Sequence, residues 1–108
     1  MIVSFQTKEL LVLCSNLEAA EKRLGPELAR VLIVQLADVE AADHAGELLD
    51  LLAGDAEIVG ENSVVLWVGK GHRATFVPVG TFGRREPNGA PDWPTVRRLK
   101  LMDIAQCP

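Results

Sequence analysis

The sequence predicts an α+β domain: a small antiparallel-rich sheet packed against an N-terminal helical hairpin. Three observations carry this. Apolar residues recur at helical spacing through the first part of the chain, strand-like apolar runs cluster in the second, and short turns join most of those runs. Helices grouped early and strands grouped late give an α+β arrangement, and successive hairpins give antiparallel pairing. The 108 residues suffice for one domain over 1–108 with a core of its own, and not for two.

The elements follow in order. "MIVSF" is a short apolar run that reads as the first strand. Thr7 is placed to cap a helix, and Glu9 sits favourably in its first turn. Leu10, Leu13, Cys14, Leu17 and Leu24 then recur at helical spacing, which predicts one helix up to "LGP". Gly25 ends it, and Pro26 suits the first turn of the next. The second helix shows Leu28, Leu32, Leu36 and Val39 on one stripe, widened by Val31 and Val34, and fades near Ala42. "GELLDLLAGD" gives a short helical turn or two, and "AEIVG" a weak strand.

"SVVLWV" is apolar at both parities and so reads as an interior strand. "GKG" is a turn, and "RATFVPV" its partner strand, with a fray or bulge expected at Pro78, which has no N–H to donate. A long loop occupies about 80–97, rich in Gly and Pro. "RRLKLMDIA" closes the chain as the last strand. Strict alternation there puts Leu99, Leu101 and Asp103 on one face, with Lys100, Met102 and Ile104 on the other.

Net charge is -4, which by itself does not suggest a nucleic-acid binder. The charge is unevenly spread. Residues 1–69 carry 12 acidic and 4 basic side chains, whereas residues 70–108 carry 7 basic and 3 acidic ones. Such asymmetry either builds a local positive patch or lets the two halves neutralise one another. Cys14 falls on an apolar helical face and Cys107 lies at the terminus, so no zinc spacing exists and no metal or cofactor is expected. No signal peptide or long apolar run is visible, and a cytoplasmic protein without membrane contact is the expectation.

The residues with chemical potential gather after Gly69. Arg73 starts a strand among apolar neighbours, so rigid backbone sets its direction. Its guanidinium suits either two parallel hydrogen bonds to phosphate or an ion pair with a carboxylate such as Asp103. His72 offers an imidazole for acid–base work, or is a polar turn residue. Lys70 at the bend, Arg84 and Arg85 in the long loop, and Arg97, Arg98 and Lys100 at the last strand would attract a phosphate backbone if gathered on one surface. Trp93 and Phe82 would stack on bases there, or pin the loop to the domain. No phosphate loop, nucleophile elbow or triad is present.

Four segments resemble HigB-type toxins of the RelE/ParE superfamily of toxin–antitoxin systems: "MIVSFQTKEL", "LGPELARVLIVQLADVEAA", "LWVGKGHRATFVPV" and "LKLMDIA". Their order and spacing carry the resemblance, which spans most of the chain apart from the loop around "GRREPNGAPDW". It implies a compact RelE/ParE-like fold and the toxin component of a type II system, a metal-independent endoribonuclease acting on mRNA in the ribosome. A cognate antitoxin would be its partner. Arg73 matches the family's hairpin arginine and Asp103 the aspartate near the end of the last strand, with His72 as a substitute acid–base group. Family members often follow that aspartate with tyrosine and histidine; Ile104 and Ala105 stand here and transfer no proton. The alternative on the same fold is a non-catalytic interaction module or a DNA gyrase inhibitor.

Overall fold

In the computed structural model, which describes residues 1–85 and 87–106, the α-helices fall between the first strand and the other four, and a short 3-10 helix, Trp93–Thr95, lies in the long loop before the last strand. The order is β1 (Ile2–Phe5), α1 (Lys8–Ser15), α2 (Leu17–Leu24), α3 (Pro26–Ala41), α4 (Ala45–Leu51), β2 (Ala56–Val59), β3 (Ser63–Val68), β4 (His72–Pro78) and β5 (Arg98–Gln106). The strands form one five-stranded mixed sheet in the order β1-β5-β4-β3-β2. The pairs β2–β3 and β3–β4 are antiparallel, as their short turns predict; β4–β5 is antiparallel across the long loop, while β1 returns beside β5 in parallel. This is the expected α+β class. β3 is interior, with edge strand β2 outside it.

The helical layer differs from the hairpin that the leucine spacing predicts. The stretch before Pro26 is two helices, broken at Asn16. The Asn16 N–H donates to the Val12 carbonyl and closes α1, while its side-chain oxygen accepts from the Ala19 N–H at 3.1 Å and opens α2. An asparagine that serves both ends leaves the apolar spacing intact and still turns the chain. Thr7 caps α1 as expected, accepting from the Leu10 N–H at 3.2 Å. Pro26 occupies the first turn of α3.

One face of the sheet is buried by the helices. Val64, Leu66 and Val68 of β3, Ala74 and Phe76 of β4, and Leu99 and Leu101 of β5 point into that layer, against Leu10, Leu32, Leu36, Val39 and Leu48. Phe76 and Leu32 are fully enclosed. Each such side chain contributes about 1.5–3 kcal/mol by leaving water. The long loop joins this layer through Trp93, which is 5% exposed and lies in the same apolar cluster as α4. Trp93 therefore pins the loop.

The strict alternation read into the last strand is corrected by the structure. Thr75 pairs with Asp103 and Phe76 with Leu101, so Met102 is skipped and β5 bulges. An extra residue reverses the parity beyond it. Asp103 therefore shares the open face with Lys100, while Ile104 turns inward and packs with Leu99 and Leu101. The irregularity sits here rather than at Pro78, where β4 simply ends.

Two consequences for stability follow. α4 is capped by His44, whose Nδ1 accepts from the Glu47 N–H at 3.0 Å. His44→Ala is expected to lower stability by about 1 kcal/mol, with His44→Asp retaining most of it; equal urea midpoints for wild type and the alanine variant would show that the cap contributes nothing. Burial also pushes the Cys14 thiol up to about 11. The folded state thus holds that proton more tightly than the unfolded chain. The contribution is complete below the unfolded thiol's pKa of about 8.5 and is lost as pH rises above it. Between pH 8 and 11 the wild type should therefore lose more stability than Cys14→Ala. Parallel curves for the two proteins would mean that the thiol is solvated.

Candidate functional site

The open face of the sheet, opposite the helices, carries the outward residues of the hairpin and of the last strand. The hairpin and the last strand are neighbours, β4 beside β5. Arg73 stands on β4 between Trp67 of β3 and Ala105 of β5. It is exposed, and among the described residues it makes no ion pair; the pairs present are Lys22–Glu18 and Arg85–Asp92. Asp103 lies opposite Thr75, diagonal to Arg73 on the same face. Diagonal positions are roughly 7–8 Å apart between Cα atoms. Carboxylate and guanidinium thus share a surface without forming the ion pair that is one of the two alternatives for Arg73, and the guanidinium fork remains open to a ligand.

Trp67 is the site residue that sequence reasoning overlooks. It pairs with Arg73 across the β3–β4 ladder and so projects from the same face. Its indole N–H donates to the Glu57 Oε1 at 3.3 Å, and its backbone carbonyl accepts from the Gln35 Nε2 at 2.9 Å. The side chain is only half-buried. The signal was present: in "SVVLWV" the tryptophan has the parity opposite to Leu66 and Val68. Reading the strand as apolar on both faces hid it. The aromatics chosen for stacking are engaged elsewhere. Trp93 is core, and Phe82 packs against the core with the Arg84 guanidinium carbon 4.9 Å from its ring centroid.

The other candidates divide by location. Lys100, half-buried, is opposite Val77 on the open face, and Arg98 lies two residues before it on the same side of β5. These two cations join Arg73. His72 does not. It pairs with the buried Val68 and so points to the helical side, and the structure does not bring it beside Arg73 or Asp103. Lys70 sits at the bend, which leans toward α3: a Cβ on Gly69, at φ 64, would lie 2.7 Å from the Leu28 Cδ1. Only glycine suits that approach, and it sets Lys70 over a cleft of about 510 Å³ lined by Pro26, Glu27 and Val31.

Arg84 and Arg85 hold the long loop together. Arg84 pairs with Pro91 and its Nη1 donates to the Gly89 carbonyl at 3.1 Å; the Arg85 Nε lies 3.7 Å from the Asp92 carboxylate. Arg97 lines a hollow with Arg98, Gly80 and Thr81 at the start of β5. The position after Asp103 is inward Ile104, and Ala105 stands beside Arg73, so no proton-transferring side chain follows the aspartate. A larger apolar groove of about 580 Å³, between α1 and α2, includes none of these candidates. Cys107 lies outside the described residues.

What the open face assembles is therefore a guanidinium, an indole, two carboxylates (Asp103 and Glu57) and two further cations on rigid strands. It can hold phosphate and stack a base. Among the described residues no cluster of three or more His, Cys, Asp or Glu could hold a metal ion. No helix among them is long and apolar enough to cross a membrane. Compared with protein-family models, with curated proteins and with solved structures, the chain matches none.

Proposed function

We propose that this chain is a RelE/ParE-like domain whose open sheet face binds the phosphate backbone of single-stranded RNA, and that it holds the strand rather than cutting it. The observation that carries this reading is Arg73, exposed and without a carboxylate partner among the described residues, beside Trp67 on rigid strands. The guanidinium gives two parallel hydrogen bonds to one phosphate, the indole offers a face to an adjacent base, and Lys100 and Arg98 extend the positive surface along β5. In the toxin–antitoxin setting that the sequence resemblance suggests, the target is mRNA at the ribosome and an antitoxin is the regulator.

Cleavage is the second reading, favoured by Asp103 sharing this face with Arg73. In that reaction the Asp103 carboxylate takes the proton of a 2'-hydroxyl. The freed oxygen attacks the neighbouring phosphorus, and Arg73 neutralises charge on the phosphoryl oxygens. The 5'-oxygen leaves and takes its proton from water, because His72 is on the other side of the sheet and Ala105 has none to give. Binding is preferred because it needs only groups that stand on the face.

Single-stranded RNA should bind with log K falling against log salt at a slope of about -2 for three phosphate contacts, at about 0.7 each. Arg73→Ala should make the slope shallower by about 0.7, and Trp67→Ala should cost about 1–3 kcal/mol. Absence of binding at low salt would overturn the proposal. Expression in a host without the antitoxin should slow growth, with relief in Arg73→Ala. Mapping RNA 5' ends then separates the readings. New ends that disappear in Asp103→Asn would establish cleavage, whereas arrest with RNA binding and an unchanged map would establish retention. Arrest by a protein that does not bind RNA would point to gyrase or another protein target.

A further inference from the structure

We infer that the hollow at the start of β5, lined by Gly80, Thr81, Arg97 and Arg98, is a phosphate-binding subsite in its own right. Its volume is about 320 Å³. That is room for an anion with part of its water shell, since one water occupies about 30 Å³ of liquid. The residues that line it bring donors and no acceptor charge: Arg97, Arg98 and Thr81. Among the described residues no carboxylate lines it. Neither arginine makes an ion pair among the described residues, although the chain carries 15 acidic side chains. Two like charges at one hollow repel each other, and a bound anion removes that repulsion while filling both forks.

The walls are fixed by the fold. The Val79 N–H donates to the Arg98 carbonyl at 3.1 Å and ties the end of β4 to the first residue of β5. The Ile2 N–H donates to the Arg97 carbonyl at 3.1 Å and holds the other side against β1. Gly80, at φ 81, lets the chain turn away, and a Cβ there would come within 3.3 Å of the Arg98 Cδ. Glycine thus admits the arginine stem beside the turn.

The ligand chemistry is a phosphate group, and it has two sources: an internal phosphodiester of a strand lying along β5, or a terminal phosphomonoester. The first rests on the RNA reading above. Arg73 is level with Ala105 and the hollow is at Arg98, so the two sites stand roughly 20 Å apart at about 3.3 Å per residue, and one extended backbone could touch both.

Inorganic phosphate, titrated into the whole protein at constant ionic strength and followed by amide resonances, tests the hollow without RNA. Saturable shifts confined to Gly80, Thr81, Arg97 and Arg98 are expected, unchanged in Arg73→Ala. The Arg97→Gln/Arg98→Gln double variant should weaken the response at least about tenfold. Thr81→Glu, which keeps both arginines and supplies an internal anion, should suppress it too. Non-saturating shifts at every surface cation would overturn the subsite, whether or not RNA binds the open face. Oligoribonucleotides with and without a 5'-phosphate then separate the sources. A preference for the phosphorylated oligomer that the Gln/Gln variant loses assigns the monoester; equal affinities, both weakened by Gln/Gln, assign the diester. Saturable phosphate binding without RNA binding would leave the hollow standing and remove the RNA reading.

Discussion

The pairing of β4 with β5, and the residue it skips, is the constraint on which the rest of the surface depends. With Thr75 opposite Asp103 and Phe76 opposite Leu101, β5 accommodates Met102 without a partner. Before the bulge, Leu99 and Leu101 fill the core; after it, Ile104 takes over the inward parity. Were β5 to alternate strictly through Met102, Asp103 would point into the apolar layer, where an unpaired carboxylate costs several kcal/mol after relaxation. The bulge keeps the core continuous and places the only acidic residue of β5 on the exposed side. One local irregularity thus serves packing and site geometry together.

The charge distribution acquires physical meaning from this layering. Most of the acidic residues in 1–69 are on α1–α4 or the turns around them, and Glu57 on β2 is engaged by the Trp67 indole. The cations of the open face are on β4 and β5. A helical layer and the sheet lie between those helical carboxylates and the cations of the open face. The carboxylates that share the open face with Arg73 are Asp103 and Glu57. A net charge of -4 does not describe what a ligand meets on the sheet.

Much of this architecture was legible. Thr7, Pro26 and the glycine turn at 69–71 announce their elements because their signals are local, and their positions hold. Trp93 as a loop anchor follows from the length of chain it must restrain. The break at Asn16 was not legible, since the side chain that caps α2 leaves the leucine spacing undisturbed. The bulge at Met102 was beyond a single strand's alternation, because register belongs to the pair and not to either member. That also hid which face Asp103 would take. The parallel return of β1 to β5 joins the first strand to the last and has no local signature.

The same geometry weighs retention against cleavage. A phosphate cut by its own 2'-hydroxyl needs a proton removed on one side of phosphorus and a proton supplied on the other. Strands fix side-chain direction by parity, so a donor must occupy a matching position on this face. At Ala105, level with Arg73, the chain has a methyl group; at Ile104, an apolar side chain committed to the core. His72 is one residue from Arg73 and for that reason projects to the far side. Moving it across would require a slip of the β3–β4 register, which would carry Ala74 and Phe76 out of the core as well. The rigidity that holds the guanidinium open is thus also what keeps the nearest imidazole away, and a surface so built favours gripping an anion over transforming it.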